Sequence, residues 1–310
     1  MLETRNLSKT FKSKVAVNKV SLYLEKGESV GLLGPNGAGK STTIAMISTL
    51  LPPSSGEVRY KGEDVLKNTQ LLRPVLGVVP QEIALYEELS AYENMKFFGR
   101  IYGLSGKELE ERIQYVIDII GLTDRQKDRV ETYSGGMKRR INIGVTLMHE
   151  PDILIMDEPT VGIDPQSRNY ILEMIRRLNK ENNMTILYTS HYMEEVEKLC
   201  DRVYIMDHGD IIASGTNEEL KSMLSNEESI QIETDALSSE LKEKLESHPV
   251  VQRVVEEEKG YKVITAKGDD LLGDLFEMAK EVKTKITGVY VQTPTLEDVF
   301  LHLTGRTLRD

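Results

Sequence analysis

The chain has 310 residues, 39% of them hydrophobic and 29% charged, which is enough for about two domains with ordinary soluble cores. Asp and Glu outnumber Lys and Arg by 50 to 39, a net charge of -11, and this argues against broad, salt-dependent binding to nucleic acid, which needs a positive face. The single cysteine, Cys200, excludes an intrachain disulfide framework and a cysteine-built zinc site; in EKLCDRV it reads as a buried apolar filler in a reducing cytoplasm.

The first stretch, MLETRNLSKTF, has no apolar core of the kind a signal peptide needs, and no apolar run approaches the ~18 residues that span a bilayer. LETRNLSKTF and AVNKVSLYLEKG alternate in hydropathy and predict strands of an antiparallel edge sheet. SVGLLG (29–34) is an apolar run ending in glycine, a buried strand entering a loop, and KSTTIAMISTLL (40–51) follows with helical spacing. Between them, Gly34, Pro35, Asn36, Gly37, Ala38, Gly39, Lys40 and Ser41 match G-x-x-x-x-G-K-[ST] in the strand-to-helix context that gives the motif its meaning. Glycines let successive N–H groups turn inward into an anion cradle, and the helix N-terminus adds partial positive charge. Lys40 is expected to reach the β and γ phosphates of a nucleotide, Ser41 to ligate Mg²⁺ and Thr42 to bond the α phosphate.

From about 85 to 150 the pattern is mostly helical and predicts an insertion between sheet strands. Within it, TYSGGMKRR (132–140) offers Ser134, Gly135 and Gly136 at a helix start, a second anion-facing turn or an ordinary N-cap. PDILIMDEP (151–159) is a buried strand ending in two carboxylates: Asp157 suits a water-bridged place near Mg²⁺, and Glu158 suits a general base for an attacking water. TILYTSH (185–191) is a third buried strand, and such strands alternating with helices predict an α/β fold with a parallel sheet covered on both faces.

Composition shifts at LSNEES (224–229), read as a linker. Beyond it the order β-α-β-β-α-β, with Leu237, Leu241 and Leu245 on one helix face and Leu271, Leu275 and Ala279 on another, predicts a small α+β domain of split βαβ type. A final helix, TLEDVFLHLTG, places Leu296, Val299, Phe300 and Leu303 on one side. Glu256–Glu258 and the stretch Arg306 to Asp310 read as solvated surface, so this segment is expected to be non-catalytic and to help hold or regulate a pair of chains through the sheet and the Phe300 helix, with a passive stabilising appendage the alternative.

Taken in order, these motifs resemble an ATP-binding cassette (ABC) transporter ATPase over residues 1 to about 225. The resemblance implies a P-loop NTPase cassette over 1–225 with an antiparallel edge sheet and a helical insertion at about 85–150, followed by the accessory domain at 229–310. It also implies roles: Phe11 stacks on adenine, Gln81 in VVPQE contacts Mg²⁺ and the γ-phosphate region while facing a membrane subunit, Asp164 in VGIDP is the D-loop aspartate, and His191 contacts the γ phosphate. YSGGM matches the family signature, whose Ser134, Gly135 and Gly136 would cap the nucleotide held by a second, head-to-tail cassette. Tyr133 and Met137 depart from the usual leucine and glutamine; Met137 followed by Lys-Arg-Arg, and the C-terminal TLEDVFLHLTGRTLRD, are similar to drug and antibiotic exporters, whose permease is a separate chain. The expected ligands are therefore ATP and Mg²⁺, the expected partners a second cassette and an integral membrane permease, with no nucleic acid, and the expected location is the cytoplasmic face of the cell membrane. A soluble, non-transport cassette ATPase and a nucleotide-sensing module without turnover stay open as alternatives.

Overall fold

In the computed structural model, which describes residues 1–224, 227–266, 268, 271–292 and 294–305, the chain divides into two compact units, Met1–Asn217 and a second that begins at Glu218. The first opens with β1 (Leu2–Phe11), β2 (Lys14–Val20) and β3 (Tyr23–Leu24), passes through β4 (Ser29–Leu33) and α1 (Lys40–Ile47), and adds β5 (Ser55–Tyr60) and β6 (Glu63–Asp64). Strands β2, β1, β5 and β6 pair in that order as an antiparallel sheet, with β3 also on β1. Its inward residues Leu2, Leu7, Val17, Val58 and Tyr60 share one core with Val30 and Leu32 of β4, which is why these strands alternate.

The chain then runs through β7 (Leu76–Val79), the helices α2 (Ala91–Ile101), α3 (Gly106–Ile119) and α4 (Gly135–Leu147), β8 (Ile153–Asp157), α5 (Pro165–Asn182), β9 (Thr185–Ser190), α6 (Met193–Leu199), β10 (Arg202–Asp207) and β11 (Asp210–Gly215). The six-stranded order is β11-β10-β4-β9-β8-β7, parallel throughout except β11 against β10. Every residue of β4, β8 and β9 is buried, as the unbroken apolar runs require of strands covered on both faces. The insertion between β7 and β8 is helical: α2 starts at a capping box, Ser90 with Glu93, and α3 buries Leu109, Ile113, Val116 and Ile117 at helical spacing. Register sets Leu33 beside Ser190 and Asp157 beside Thr189, so β4, β8 and β9 end at one edge of the sheet. In a doubly wound sheet that carboxyl edge is where ligands bind.

Helix α7 (Asn217–Ser222) leads into the second unit: β12 (Glu227–Thr234), α8 (Ser239–Glu246), β13 (Val251–Glu257), β14 (Gly260–Ala266), α9 (Leu272–Glu281), β15 (Ile286–Gln292) and α10 (Leu296–Thr304). Its antiparallel sheet has the order β13-β14-β12-β15, the split βαβ arrangement. Ile230, Ile232, Tyr261 and Val263 form a core with Leu241, Leu245, Leu271, Leu275 and Ala279 of the two helices. Leu237, expected on the α8 face, lies ahead of the N-cap Ser238 and is 47% exposed. Lys262, which alternates with Tyr261 and Val263 and so faces the other side of the sheet, pairs with Asp298 of α10 at 2.8 Å. Of the four residues expected on one side of α10, Leu296, Val299 and Phe300 are buried, whereas Leu303 is 37% exposed. Arg306 to Asp310 and Ser225 and Asn226 of the expected linker lie outside the described residues.

Candidate active site

Six residues, Gly34 to Gly39, turn the chain from the end of β4 into α1. Gly39 has φ +108°, and a Cβ there would lie 2.5 Å from the Ala16 carbonyl oxygen, so both conformation and space demand glycine. Lys40 opens the helix and folds back: its Nζ donates to the carbonyls of Gly34 at 2.7 Å and Pro35 at 3.2 Å. The same ammonium sits 3.1 Å from Glu158 Oε1, with the two side chains 4% and 8% exposed. Phe11, Asn36, Gly37, Gly39, Lys40, Ser41, Thr42, Gln81 and Glu158 line one cleft of about 410 Å³. Gly34, Pro35 and Ala38 stand behind it and support the turn, the Ala38 N–H donating to the Pro35 carbonyl at 3.1 Å.

Asp157 and Glu158 leave the end of β8 differently. Glu158 has φ +47°, the left-handed region, which costs a residue with a Cβ roughly 1–2 kcal/mol. The Thr189 hydroxyl on β9 secures this turn: its Oγ1 accepts the Glu158 N–H at 2.9 Å and lies 2.9 Å from Asp157 Oδ1, to which it donates. His191, one residue beyond β9, sets its Nδ1 3.5 Å from Glu158 Oε2. Lys40, Glu158 and His191 thus converge from the ends of three neighbouring strands.

The other predicted residues gather elsewhere. Ser134 is exposed and caps α4, its Oγ accepting the Met137 N–H at 3.2 Å, and Gly135 is exposed beside it. Asp164 caps α5 in the same manner, accepting the Ser167 N–H at 2.9 Å, which together with that serine's hydroxyl holds its carboxyl below the usual carboxylate range. The two caps touch: a Cβ on Gly136 would fall 2.2 Å from Ser167 Oγ and 3.5 Å from Asp164 Oδ2. None of Ser134, Gly135, Gly136 and Asp164 lines the Lys40 cleft. The predicted residues of one chain thus fall into two separate groups.

Two supporting residues escaped sequence reasoning, and a third, Tyr133, was singled out there without a structural role. Thr189 had no signal beyond a polar residue in an apolar strand. Arg139, in the basic run after the signature, is buried and donates to the carbonyls of Pro80, at 2.8 Å, and Gln81, tying the Gln81 backbone to α4. Tyr133, the unusual signature residue, is buried and donates its phenol to the Arg125 carbonyl; burial raises its pKa, so it remains a donor.

Ser41, Gln81 and Asp157 are hard oxygen donors, which fit Mg²⁺. Ser41 and Gln81 line the cleft, whereas Asp157 is buried and bonded to Thr189, consistent with contact through water. Among the described residues no group of three His, Cys, Asp or Glu side chains forms a metal cage.

Residues 17–161 match a family described as ABC transporter, and residues 215–304 match one described as ATP-binding protein DrrA1-3-like, C-terminal domain. The chain is 49% identical over 312 residues to the linearmycin resistance ATP-binding protein LnrL of Bacillus subtilis (strain 168), covering 100% of both. It is 36% identical to the daunorubicin/doxorubicin resistance ATP-binding protein DrrA of Streptomyces peucetius, covering 100% of this chain and 94% of that one. It is 37% identical to a Nod factor export ATP-binding protein I of Sinorhizobium fredii, over 100% and 87%. Among solved structures, the dimeric post-hydrolysis state of the ATP-binding cassette MJ0796 bound to ADP and Pi superposes with a TM-score of 0.63 at 26% identity, over 70% of this chain and 98% of that one. The cbiO1 subunit from Clostridium perfringens, part of an ABC transporter complex, gives 0.65 at 27%, over 72% and 94%.

Proposed function

Because this chain belongs to the ABC transporter family, as an ATPase subunit of the resistance and export type, we propose that two copies, or one copy and a second cassette, close head to tail around ATP and so drive a separate membrane permease. The observation that carries this reading is the division of the site within one chain. Lys40, Glu158 and His191 form a phosphate-binding and base half; Ser134, Gly135 and Asp164 form an exposed capping half away from it. A nucleotide held between two antiparallel chains receives one half from each.

In the chemistry that follows, Lys40 neutralises the β and γ phosphates and the α1 N-terminus adds its dipole. Mg²⁺, when bound through Ser41, Gln81 and water on Asp157, supplies charge neutralisation of the phosphates. Glu158 takes a proton from water as the water oxygen bonds to the γ phosphorus. The bond from that phosphorus to the β–γ bridging oxygen breaks, and ADP leaves with the electron pair. His191, beside Glu158, contacts the γ phosphate. Phe11, 47% exposed at the cleft rim, stacks on the adenine. Loss of the shared phosphate removes the attraction between the two halves.

Docking on a permease is supported by the surface beside the Gln81 segment. Tyr86 and Phe97 pack edge to face at 4.8 Å yet are 47% and 39% exposed, and Ile101 on the same helix is 62% exposed. No described helix is long and apolar enough to cross a membrane. We place the chain at the cytoplasmic face, bound through the permease, and take the cargo to be a drug, an antibiotic or another hydrophobic compound. The experiment mixes Lys40→Ala with Ser134→Arg chains. In a mixed dimer one composite site lacks both defects, so mixtures recover hydrolysis above either variant alone; no recovery at any ratio rejects the shared site.

A further inference from the structure

Glu195 lies in the acidic first turn of α6, next to the exposed Glu194, yet is 3% exposed. Its Oε2 accepts three hydroxyl bonds: from Thr160 Oγ1 at 2.8 Å, the Tyr188 phenol at 2.8 Å and Ser190 Oγ at 2.9 Å. Its Oε1 is 3.5 Å from Arg168 Nε. All three hydroxyl residues are buried. Thr160 stands two residues past Glu158, Ser190 immediately before His191, and Arg168 four residues past Asp164. Ser190 Oγ also accepts the Tyr192 N–H at 2.8 Å, so the chain is fastened on both sides of His191. The Arg168 guanidinium lies 4.5 Å over the Tyr192 ring, which packs 4.2 Å from the His191 ring.

Burying a carboxyl group is expensive unless its oxygens are bonded, and a position needing only packing is better filled by an apolar side chain. Here the three hydroxyls come from the turn after β8, which supplies Thr160, and from β9, the strand leading into His191, which supplies Tyr188 and Ser190. Burial and the adjacent Glu195 hold the Tyr188 phenol far above its ordinary range, so it is a permanent donor to this carboxyl group. None of the partners of Glu195 lines the Lys40 cleft.

We propose that Glu195 is a positioning residue for hydrolysis: it holds His191 against Glu158 and joins that pair, through Thr160 and Arg168, to the Asp164 turn. This rests on the reading of the cleft as the hydrolytic site. Groups held by one acceptor move together, so a displacement at the Asp164 turn is transmitted to His191. Misplacement of a reacting group by about 1 Å is enough to lower a rate on the order of 10²-fold.

The test is a double-mutant cycle on the full-length chain with MgATP. Glu195→Gln is expected to lower kcat at least about tenfold while ATP affinity stays within about threefold, because Lys40 and the loop from Gly34 to Gly39 are untouched. In a His191→Ala background the same substitution is expected to change kcat less than about twofold, because the residue it positions is gone. A kcat for Glu195→Gln within twofold of wild type overturns the proposal. So does an equal fall in both backgrounds, which marks a general structural effect. Should Glu195→Gln not fold, Ser190→Ala, which deletes one of the three donors, enters the same cycle under the same criteria. A Glu158→Gln chain that binds ATP and hydrolyses it at the wild-type rate rejects the reading of the cleft itself, separately from the contribution of Glu195.

Discussion

Lys40 Nζ and Glu158 Oε1 lie 3.1 Å apart, both buried, beyond the ends of β4 and β8 at one edge of the sheet. In the proposed reaction each group has another partner to meet: Lys40 the phosphates, Glu158 the attacking water. ATP entering the cleft must therefore exchange one anion for another on Lys40. Glu158→Gln removes the competing anion along with the base. It should slow single-turnover hydrolysis by ~10²–10⁴ and tighten ATP binding roughly threefold or more. Gel filtration with MgATP should show a persistent dimer. Hydrolysis at the wild-type rate, or unchanged affinity, contradicts the exchange.

Lys40→Ala removes the ammonium group beside the buried Glu158. ATP affinity should fall at least about 100-fold, and the nucleotide-free protein should lose about 3 kcal/mol, read from urea unfolding. Adding Glu158→Gln should restore much of that stability and none of the binding. A double variant as unstable as the single one shows that the pair is not what holds this corner.

Gly135 and Gly136 separate trans function from packing. A Cβ on Gly135 meets nothing nearer than Ile163 Cδ1 at 3.9 Å, whereas one on Gly136 would fall 2.2 Å from Ser167 Oγ. Gly135→Ala should melt like wild type yet lose about tenfold or more in hydrolysis, since the methyl meets the partner cassette's phosphate. Gly136→Ala should lose about 1–3 kcal/mol of stability as Ser167 and the Asp164 turn give way. Thermal melts with phosphate release distinguish the two; equal melts for both variants refute the packing assigned to Gly136.

His149 stacks on Tyr102 at 4.1 Å and sets Nε2 3.1 Å from the Leu76 carbonyl. Burial lowers its pKa below the ordinary value of 6.5. The folded pKa is thus the depressed one, so its stabilising effect is complete above about pH 6.5 and is lost as pH falls toward the folded value. Between pH 7.5 and 5.5 the melting temperature of wild type should drop more steeply than that of His149→Gln. Parallel curves dismiss the assignment.

The sequence revealed most where backbone geometry leaves few chemical options. Gly39 is dictated by a turn that bars a Cβ, and Asp157 and Glu158 stand at the end of a wholly buried strand. The split βαβ order at the C-terminal end was also legible, because its strands and helices alternate at their own periods. Strands β5, β6, β7, β10 and β11 went unpredicted: β6 has only two residues and β7 four, and β10 follows the Cys200 segment without a Gly or Pro break. Whether an apolar run is strand or helix is then decided by its neighbours in the sheet. Glu195 was hidden for a related reason, since Glu194-Glu195 reads as one solvated acidic turn until the fold buries only its second member. Cys200 was read as a buried filler, and it is buried, its thiol pushed up to about 12.

The strand order β4-β9-β8 has a consequence during synthesis. Translation completes β4 first and β8 next, yet these two never pair: β9, made last of the three, must enter between them. Lys40 leaves the ribosome about 150 residues ahead of His191, an interval of roughly 8–30 s at 5–20 residues per second. Through that interval the nascent chain has a phosphate loop without the Thr189 hydroxyl that secures the Glu158 turn. Cellular ATP, however abundant, cannot act as a full folding ligand for this cassette until its central strand has been made and inserted.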